Sequence, residues 1–193
     1  MASMGLTEWA YSLSESMLSE PLPRRWAHSL GVAKQARSLS PILGTDAELL
    51  EAAAVLHDIG YSPSIATTGF HPLDGARFLR DQEDADERVV RLVAHHSCAL
   101  LEAEERGLRQ ELATEFELER PELVDALIVS DMTTTPDGEH TTPAARLEEI
   151  VQRYGPDTIV GRFIQRAAPE IYAANERVEL RMASAAAAGA QPM

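Results

Sequence analysis

Cysteine occurs once in the 193 residues, as Cys98. A lone thiol forms no intramolecular disulfide and builds no Cys-rich metal signature, so the chain suits a reducing compartment. Basic residues are scarce as well: 17 Lys and Arg stand against 31 Asp and Glu, for a formal charge of −14. Nucleic-acid binding draws mainly on Lys and Arg neutralising phosphates, so this balance opposes a nucleic-acid polymer as partner. It does not oppose a small anionic substrate, because a metal centre inverts the local field whatever the global sum. No stretch of about 18 uninterrupted apolar residues is present, and no basic segment followed by an apolar run opens the chain. The expectation is a soluble, unexported, cytoplasmic protein without a membrane partner.

Sustained alternation with β-branched enrichment is missing too, as is any internal repeat, which leaves helices as the building material. Thr7 is placed to cap a first helix that ends before Pro21 and Pro23, and Pro23 can open a second, RRWAHSLGVAKQARSL. Thr45 with Glu48 reads as a capping box for a helix from about Asp46 to Asp58, closed by Gly60. Further helices follow His71-Pro72, run from about Asp86 to beyond His96, and start at Pro121 and at Thr142-Pro143. The stretch from Pro156 to Met182 supplies the last helical material, and ASAAAAGAQPM reads as a frayed tail. The fold class expected is all-α, a compact single-domain helical bundle over residues 1–183 with a disordered tail at 184–193.

Ionisable side chains sit where such helices should be greasy. His28 shares a stripe with Val32, Ala36 and Leu39 and therefore points inward. Leu50, Ala53 and Ala54 lead down to His57, with Asp58 beside it, while Leu123 and Leu127 precede Asp131 at steps of four. Carboxylates are rarely fully buried unless paired or metal-bound, because desolvating the charge is expensive. Asp131 thus needs a cation. The chain has a single lysine, Lys34, and no arginine lies in PELVDALIVSDMTTTPDG, although a distant arginine can still reach it. A divalent metal shared with His28, His57 and Asp58 satisfies all four groups, and mixed imidazole and carboxylate ligands suit Mn, Fe, Co, Ni or Zn.

The order His28, His57-Asp58, Asp131, carried by RRWAHSLGVA, AAVLHDIGYS and IVSDMT, resembles the H…HD…D signature of the HD-domain superfamily of all-α, metal-dependent phosphohydrolases. The resemblance covers roughly residues 20 to 175 and implies several further assignments. His71 in TGFHPLDGARFLR and His96 in VVRLVAHHS look like the extra histidines of subgroups that hold two metals. The implied ligand set is His28, His57, Asp58, His71, His96 and Asp131, with Asp58 bridging and with His57 and Asp58 at the catalytic centre. The implied cofactor is a divalent transition metal, as two ions of Fe, Mn, Co, Ni or Zn, with Mg admissible. Such a pair activates a bridging water, clamps a phosphoryl oxygen and stabilises charge during in-line displacement, which hydrolyses a phosphate ester or anhydride. The chain is similar in particular to bacterial HD proteins that cleave nucleotides, including symmetrical dinucleoside tetraphosphate hydrolases, so a nucleotide or other small phosphorylated metabolite is the expected substrate. Arg25 matches an arginine at the same offset in those hydrolases and Arg77 follows His71 by one and a half turns; both are candidate substrate-binding residues, since the arginine fork donates paired hydrogen bonds to phosphate.

Where many HD proteins read HDIGK, this chain has Tyr61, so no role for that lysine carries over, and packing is the simpler role for the ring. Two alternatives stand beside the hydrolase. Inositol oxygenase and related diiron oxygenases resemble the chain at the six ligands, but the place of their substrate lysine is held by Leu100. A catalytically silent regulatory HD protein is the other. Helical register separates two neighbouring histidines: His96 shares a stripe with Val89, Val93 and Leu100, whereas His95 aligns with Arg88 and Arg91 toward a polar face or rim. Cys98 reads as a packed side chain, His140 as a surface-loop residue and EAEERG as a solvated helix face. Trp9, Tyr11, Leu13 and Met17 suit the core, or equally a contact between copies of a homo-oligomer.

Overall fold

A helix that is apolar around most of its circumference has to be surrounded by others, and residues 47–56, AELLEAAAVL, are of that kind. The structure, a computed structural model, describes residues 5–190. Its helices are α1 (Leu6–Leu18), α2 (Pro23–Ser38), α3 (Ala47–Leu56), α4 (His71–Asp81), α5 (Glu87–His95), α6 (Ala99–Glu105), α7 (Arg109–Glu115), α8 (Pro121–Met132), α9 (Pro143–Tyr154) and α10 (Ile159–Gly189). Helix α3 lies at the centre, with α1, α2, α5 and α8 packed around it, and Leu49, Leu50 and the whole run Ala52–Leu56 are buried. A second apolar cluster joins α8 to α9 and α10 through Ile128, Met132, Leu147, Ile150, Phe163 and Ile164. Among the described residues there is no strand, only an isolated bridge between Thr134 and His140, and the fold is all-α.

Several local expectations are corrected. Gly5, not Thr7, precedes α1, and Thr7 lies inside the helix. The Thr45–Glu48 capping box does not form: a short 3-10 turn over Gly44–Asp46 leads straight into α3, so the first amides follow a preceding turn and no side chain caps them. Thr142 and Thr158 do cap, accepting hydrogen bonds from the amides of Ala145 and Gly161. The tail expected to be disordered continues α10 to Gly189, consistent with the high helix propensity of its alanines; residues 191–193 lie outside the described residues. Trp9, Tyr11, Leu13 and Met17 pack, half-buried, against the main core.

Gly60 does not close α3, which ends at Leu56. A 3-10 turn follows at Ile59–Tyr61, and Gly60 is buried there for a different reason. A Cβ at Gly60 would stand 1.9 Å from the His71 carbonyl oxygen and 2.7 Å from the Gly75 amide nitrogen. Only glycine lets the start of α4 lie directly on the turn after His57-Asp58. A similar approach joins α2 to the loop after α8, since a Cβ at Gly31 would meet the Gly138 carbonyl oxygen at 2.4 Å. These two contacts bring four segments distant in sequence to one end of α3.

Candidate metal centre

At that end of α3 the six ligand-type side chains converge. His28 comes from α2, His57 and Asp58 follow α3, His71 opens α4, His96 follows α5 and Asp131 lies in the last turn of α8. All but His71 are buried, and His71 is nearly so, with 12% of its side chain exposed. Three imidazoles are fixed in the same manner. The Nδ1 of His28 donates to the Thr135 carbonyl oxygen at 2.9 Å, that of His57 to Ala54 at 2.7 Å, and that of His96 to Val93 at 2.7 Å. A backbone acceptor on Nδ1 sets the tautomer that leaves the Nε2 lone pair free, the state a metal ligand needs.

Those Nε2 atoms meet around two carboxylates. Asp131 Oδ1 lies 3.0 Å from His28 Nε2 and 3.9 Å from His57 Nε2. Asp58 Oδ1 lies 3.4 Å from His57, 3.3 Å from His71 and 4.0 Å from His96, while Asp58 Oδ2 is 4.0 Å from His28. Asp58 therefore sits among all four rings. Two donor sets, His28–His57–Asp131 and His57–Asp58–His96, have ligand atoms within 4.8 Å of one another. His71 Nε2 approaches His96 Nε2 to 3.0 Å, extending the second set. His57 Nε2 is buried with no hydrogen-bond partner, and an orphaned imidazole nitrogen facing carboxylates suits ligation of a divalent cation. The donor set fits divalent metal.

Electrostatics keep the groups in their ligating forms. Burial alone would raise the Asp58 carboxyl, yet His57, Arg25, His71 and His28 together hold it well below the usual carboxylate range. Burial likewise opposes ionisation of Asp131, but His28, His57 and Arg146 around it keep its pKa low. His71 and His96 are pushed below the ordinary imidazole value, chiefly by burial.

Arg25 reaches the cluster, its Nη1 donating to Asp58 Oδ2 at 2.5 Å. Its guanidinium also lies over the Tyr61 ring at 3.5 Å, and that ring stacks on His71 with centroids 3.9 Å apart. Tyr61 is thus packed between a cation and a histidine and holds both in place. Arg77 is not brought to the cluster. Six residues beyond His71 on α4 carry it round to another face, where it pairs with Glu111 and Glu115 of α7.

His95 departs from its expected rim position. It is 4% exposed, and its Nε2 donates to the Phe116 carbonyl oxygen at 2.7 Å, because the chain after α7 covers that face of α5. Helix α5 also stops at His95 rather than running on, and Ser97 and Cys98 take left-handed φ of 50° and 62°. Ser97 was not singled out by the sequence pattern. Its buried hydroxyl donates to Asp131 Oδ2, and only its place beside His96 could have signalled it. Cys98 packs half-buried against the second cluster, its thiol pushed up to about 12 by burial. Glu102, expected on a solvated face, is 6% exposed, lines the chamber over the cluster and accepts from Arg106. His140 is exposed in its loop.

The HD domain family matches residues 25–134 of the chain. Proteins named Ribonuclease Y are also similar. That of Rubrobacter xylanophilus is 37% identical over 70 residues, 36% of this chain and 14% of that protein. Those of Rhodopirellula baltica and Acetivibrio thermocellus are 36% identical over 69 residues and 33% over 70, each covering 36% of this chain and 13% of the relative. The chain therefore spans about one seventh of the length of these curated relatives. No solved structure matches it.

Proposed function

Because the chain belongs to the HD-domain family, we propose that it is a metal-dependent phosphohydrolase, that residues 1–183 form its catalytic unit, and that it cleaves a phosphate ester or anhydride of a nucleotide or other small phosphorylated metabolite. The observation that carries this reading is the convergence of the Nε2 atoms of His28, His57 and His96 on Asp58 and Asp131, each ring set by a backbone carbonyl. His28, His57, Asp58 and Asp131 would hold one ion and Asp58, His71 and His96 a second, since Asp58 offers two oxygens whereas His57 has one free nitrogen. Divalent ions at such a site supply Lewis-acid polarisation of the phosphoryl group and acidify water.

The side chains of this protein do the rest. Asp58, kept ionised by its neighbours, anchors the centre and orients Arg25 through the 2.5 Å pair. Arg25, 24% exposed at its side chain, presents its remaining N–H groups to an incoming phosphate. Tyr61 stacks on both Arg25 and His71 and keeps the guanidinium from swinging into solvent. Ser97 holds the second oxygen of Asp131, so the carboxylate cannot rotate away from His28. The apolar wall of Ile150, Val160, Phe163 and Ile164 limits water on the far side of the chamber.

The name of the relatives brings RNA phosphodiesters into the range of substrates. The −14 charge argues for a small molecule over a long polymer, so a short oligoribonucleotide belongs in the screen as a competitor. Lys34 is exposed on α2 and does not line the chamber, which gives the oxygenase reading no substrate lysine. The test is hydrolysis of p-nitrophenyl phosphate, bis-p-nitrophenyl phosphate and nucleotides with Mn, Co, Ni, Zn, Fe or Mg, with oxygen uptake followed in parallel. Turnover should require metal and fall about 100-fold or more in His57→Ala and Asp58→Ala, with helical content retained. Undiminished turnover in either variant, or oxygen uptake in place of phosphate release, would overturn the proposal.

A further inference from the structure

The chamber over the cluster is small, about 80 Å³. Sites that enclose an organic ligand usually hold roughly 300–1,000 Å³. A phosphoryl group fits the chamber, and the remainder of a substrate has to extend beyond it. Next to it lies a groove of about 310 Å³ lined by Pro21, Leu22, Pro23 and Pro136 together with Arg24, Arg25, Arg146 and Arg153, with His28 at its inner end. Arg25, His28, Arg146 and Arg153 line both spaces, so the groove opens directly onto the cluster.

In a protein with nearly twice as many acidic as basic residues, four arginines and no carboxylate line this groove. Each arginine has a counter-ion that is not among the lining residues: Asp137 for Arg24, Asp58 for Arg25, and Glu149 for both Arg146 and Arg153. A single glutamate thus pairs with two guanidiniums of the groove wall. Arg146 carries the sharper signal. Its side chain is 8% exposed, it spends Nη1 on Glu149 at 2.5 Å, and its Nε is buried with no partner. A buried, unpartnered guanidinium edge is costly unless a ligand meets it. Arg146 and Arg153 lie seven residues apart on α9, two turns along one face and about 10 Å along the axis. Both lie beyond residue 134, where the HD family match ends.

We propose that this groove is a second anion subsite in which Arg146 and Arg153, with Arg24 and Arg25 at its other wall, bind a further phosphate of the substrate while the scissile phosphoryl occupies the chamber. The proposal rests on the phosphohydrolase reading of the cluster. It makes the α9 arginines specificity-determining residues that favour substrates with more than one phosphate over simple monoesters.

The test is calorimetric binding of AMP and ADP to the metal-loaded protein, with a short oligoribonucleotide as a third ligand. Wild type should bind ADP at least about tenfold tighter than AMP, the effect of one charge-assisted contact. Arg153→Gln and Arg24→Gln, at side chains 33% and 61% exposed, keep the fold and should shrink that ratio, and Arg146→Lys should bring it close to one. An ADP preference absent from wild type, or unchanged in all three variants, would overturn the subsite. Tighter binding of the oligoribonucleotide with the same arginine dependence would assign the groove to a polynucleotide backbone and also overturn it. Binding does not need turnover. Failure of every substrate to be hydrolysed would defeat the phosphohydrolase reading, whereas a wild type that hydrolyses substrate but shows no ADP preference would defeat the subsite alone.

Discussion

His57 stands in both donor sets, but its one free nitrogen, Nε2, serves a single ion, so Asp58 with its two oxygens is the ligand two ions can share. Its neighbour in importance is less visible. Ser97 holds Asp131 by a buried hydroxyl on a backbone with φ of 50°, a conformation uncommon outside glycine. Ser97→Ala is expected to weaken metal binding about 10- to 100-fold, as loss of an outer-shell hydrogen bond to a ligand does. Ser97→Gly, which suits the left-handed backbone but also lacks the hydroxyl, should weaken it by a similar factor, and metal titration of both variants checks this. If Ser97→Ala binds metal as tightly as wild type, Asp131 needs no support from the hydroxyl. At this scale the sequence was informative about side chains that break an apolar stripe, because an inward Asp131 or His28 demands a partner. It was silent about Ser97, Arg146 and Arg153, whose significance comes from contacts between elements. His95 shows the limit of helical register: the spacing from Arg88 and Arg91 is right, but the chain near Phe116 covers that face.

Among elements, the turn after α3 and the start of α4 form the joint that assembles the centre. Gly60→Ala would place a methyl against the His71 carbonyl, now at 1.9 Å from the ideal Cβ position. The backbones must part, at a cost of about 1–3 kcal/mol from overpacking, and His71 moves with α4. The expected outcome is a lower urea midpoint together with loss of metal from the position nearest His71. A variant that is destabilised but holds its full metal complement would separate the joint from the site. Helix placement was legible from proline, threonine and apolar periodicity, and α8 and α9 begin at Pro121 and Pro143 as those signals indicate. The Thr45–Glu48 box failed because a 3-10 turn already feeds α3, and Gly60 looked like a helix stop because a close approach between backbones leaves no mark in local sequence.

For the whole molecule, acid should loosen the fold before it strips every surface pair. Arg88 joins Asp46 and Glu119, bridging the entry to α3, α5 and the segment before α8. The Asp46 carboxyl is held low by its hydrogen bond from Arg88, and Glu119 is held low by Arg88 and the Arg120 amide against its burial. Their stabilisation is fully present above the ordinary carboxylate values of about 4 and is lost as pH falls through the depressed folded-state values. Urea midpoints should therefore fall more steeply below about pH 4 in wild type than in Arg88→Gln; parallel curves would remove this network from the account. Bound metal adds to unfolding free energy as RT ln(1 + [L]/Kd), so stability and catalysis should share one dependence on the ion. The most direct measurement is metal analysis of the purified protein and of Asp58→Ala, with phosphate release from the same samples. The account predicts about two divalent ions per chain in wild type, loss of at least one in the variant, and loss of hydrolysis with it. Wild type that binds no divalent metal after exposure to Mn, Co, Ni, Zn, Fe or Mg, or an Asp58→Ala variant that keeps both its metal and its turnover, would contradict the claim that these six side chains form a metal-dependent hydrolytic centre.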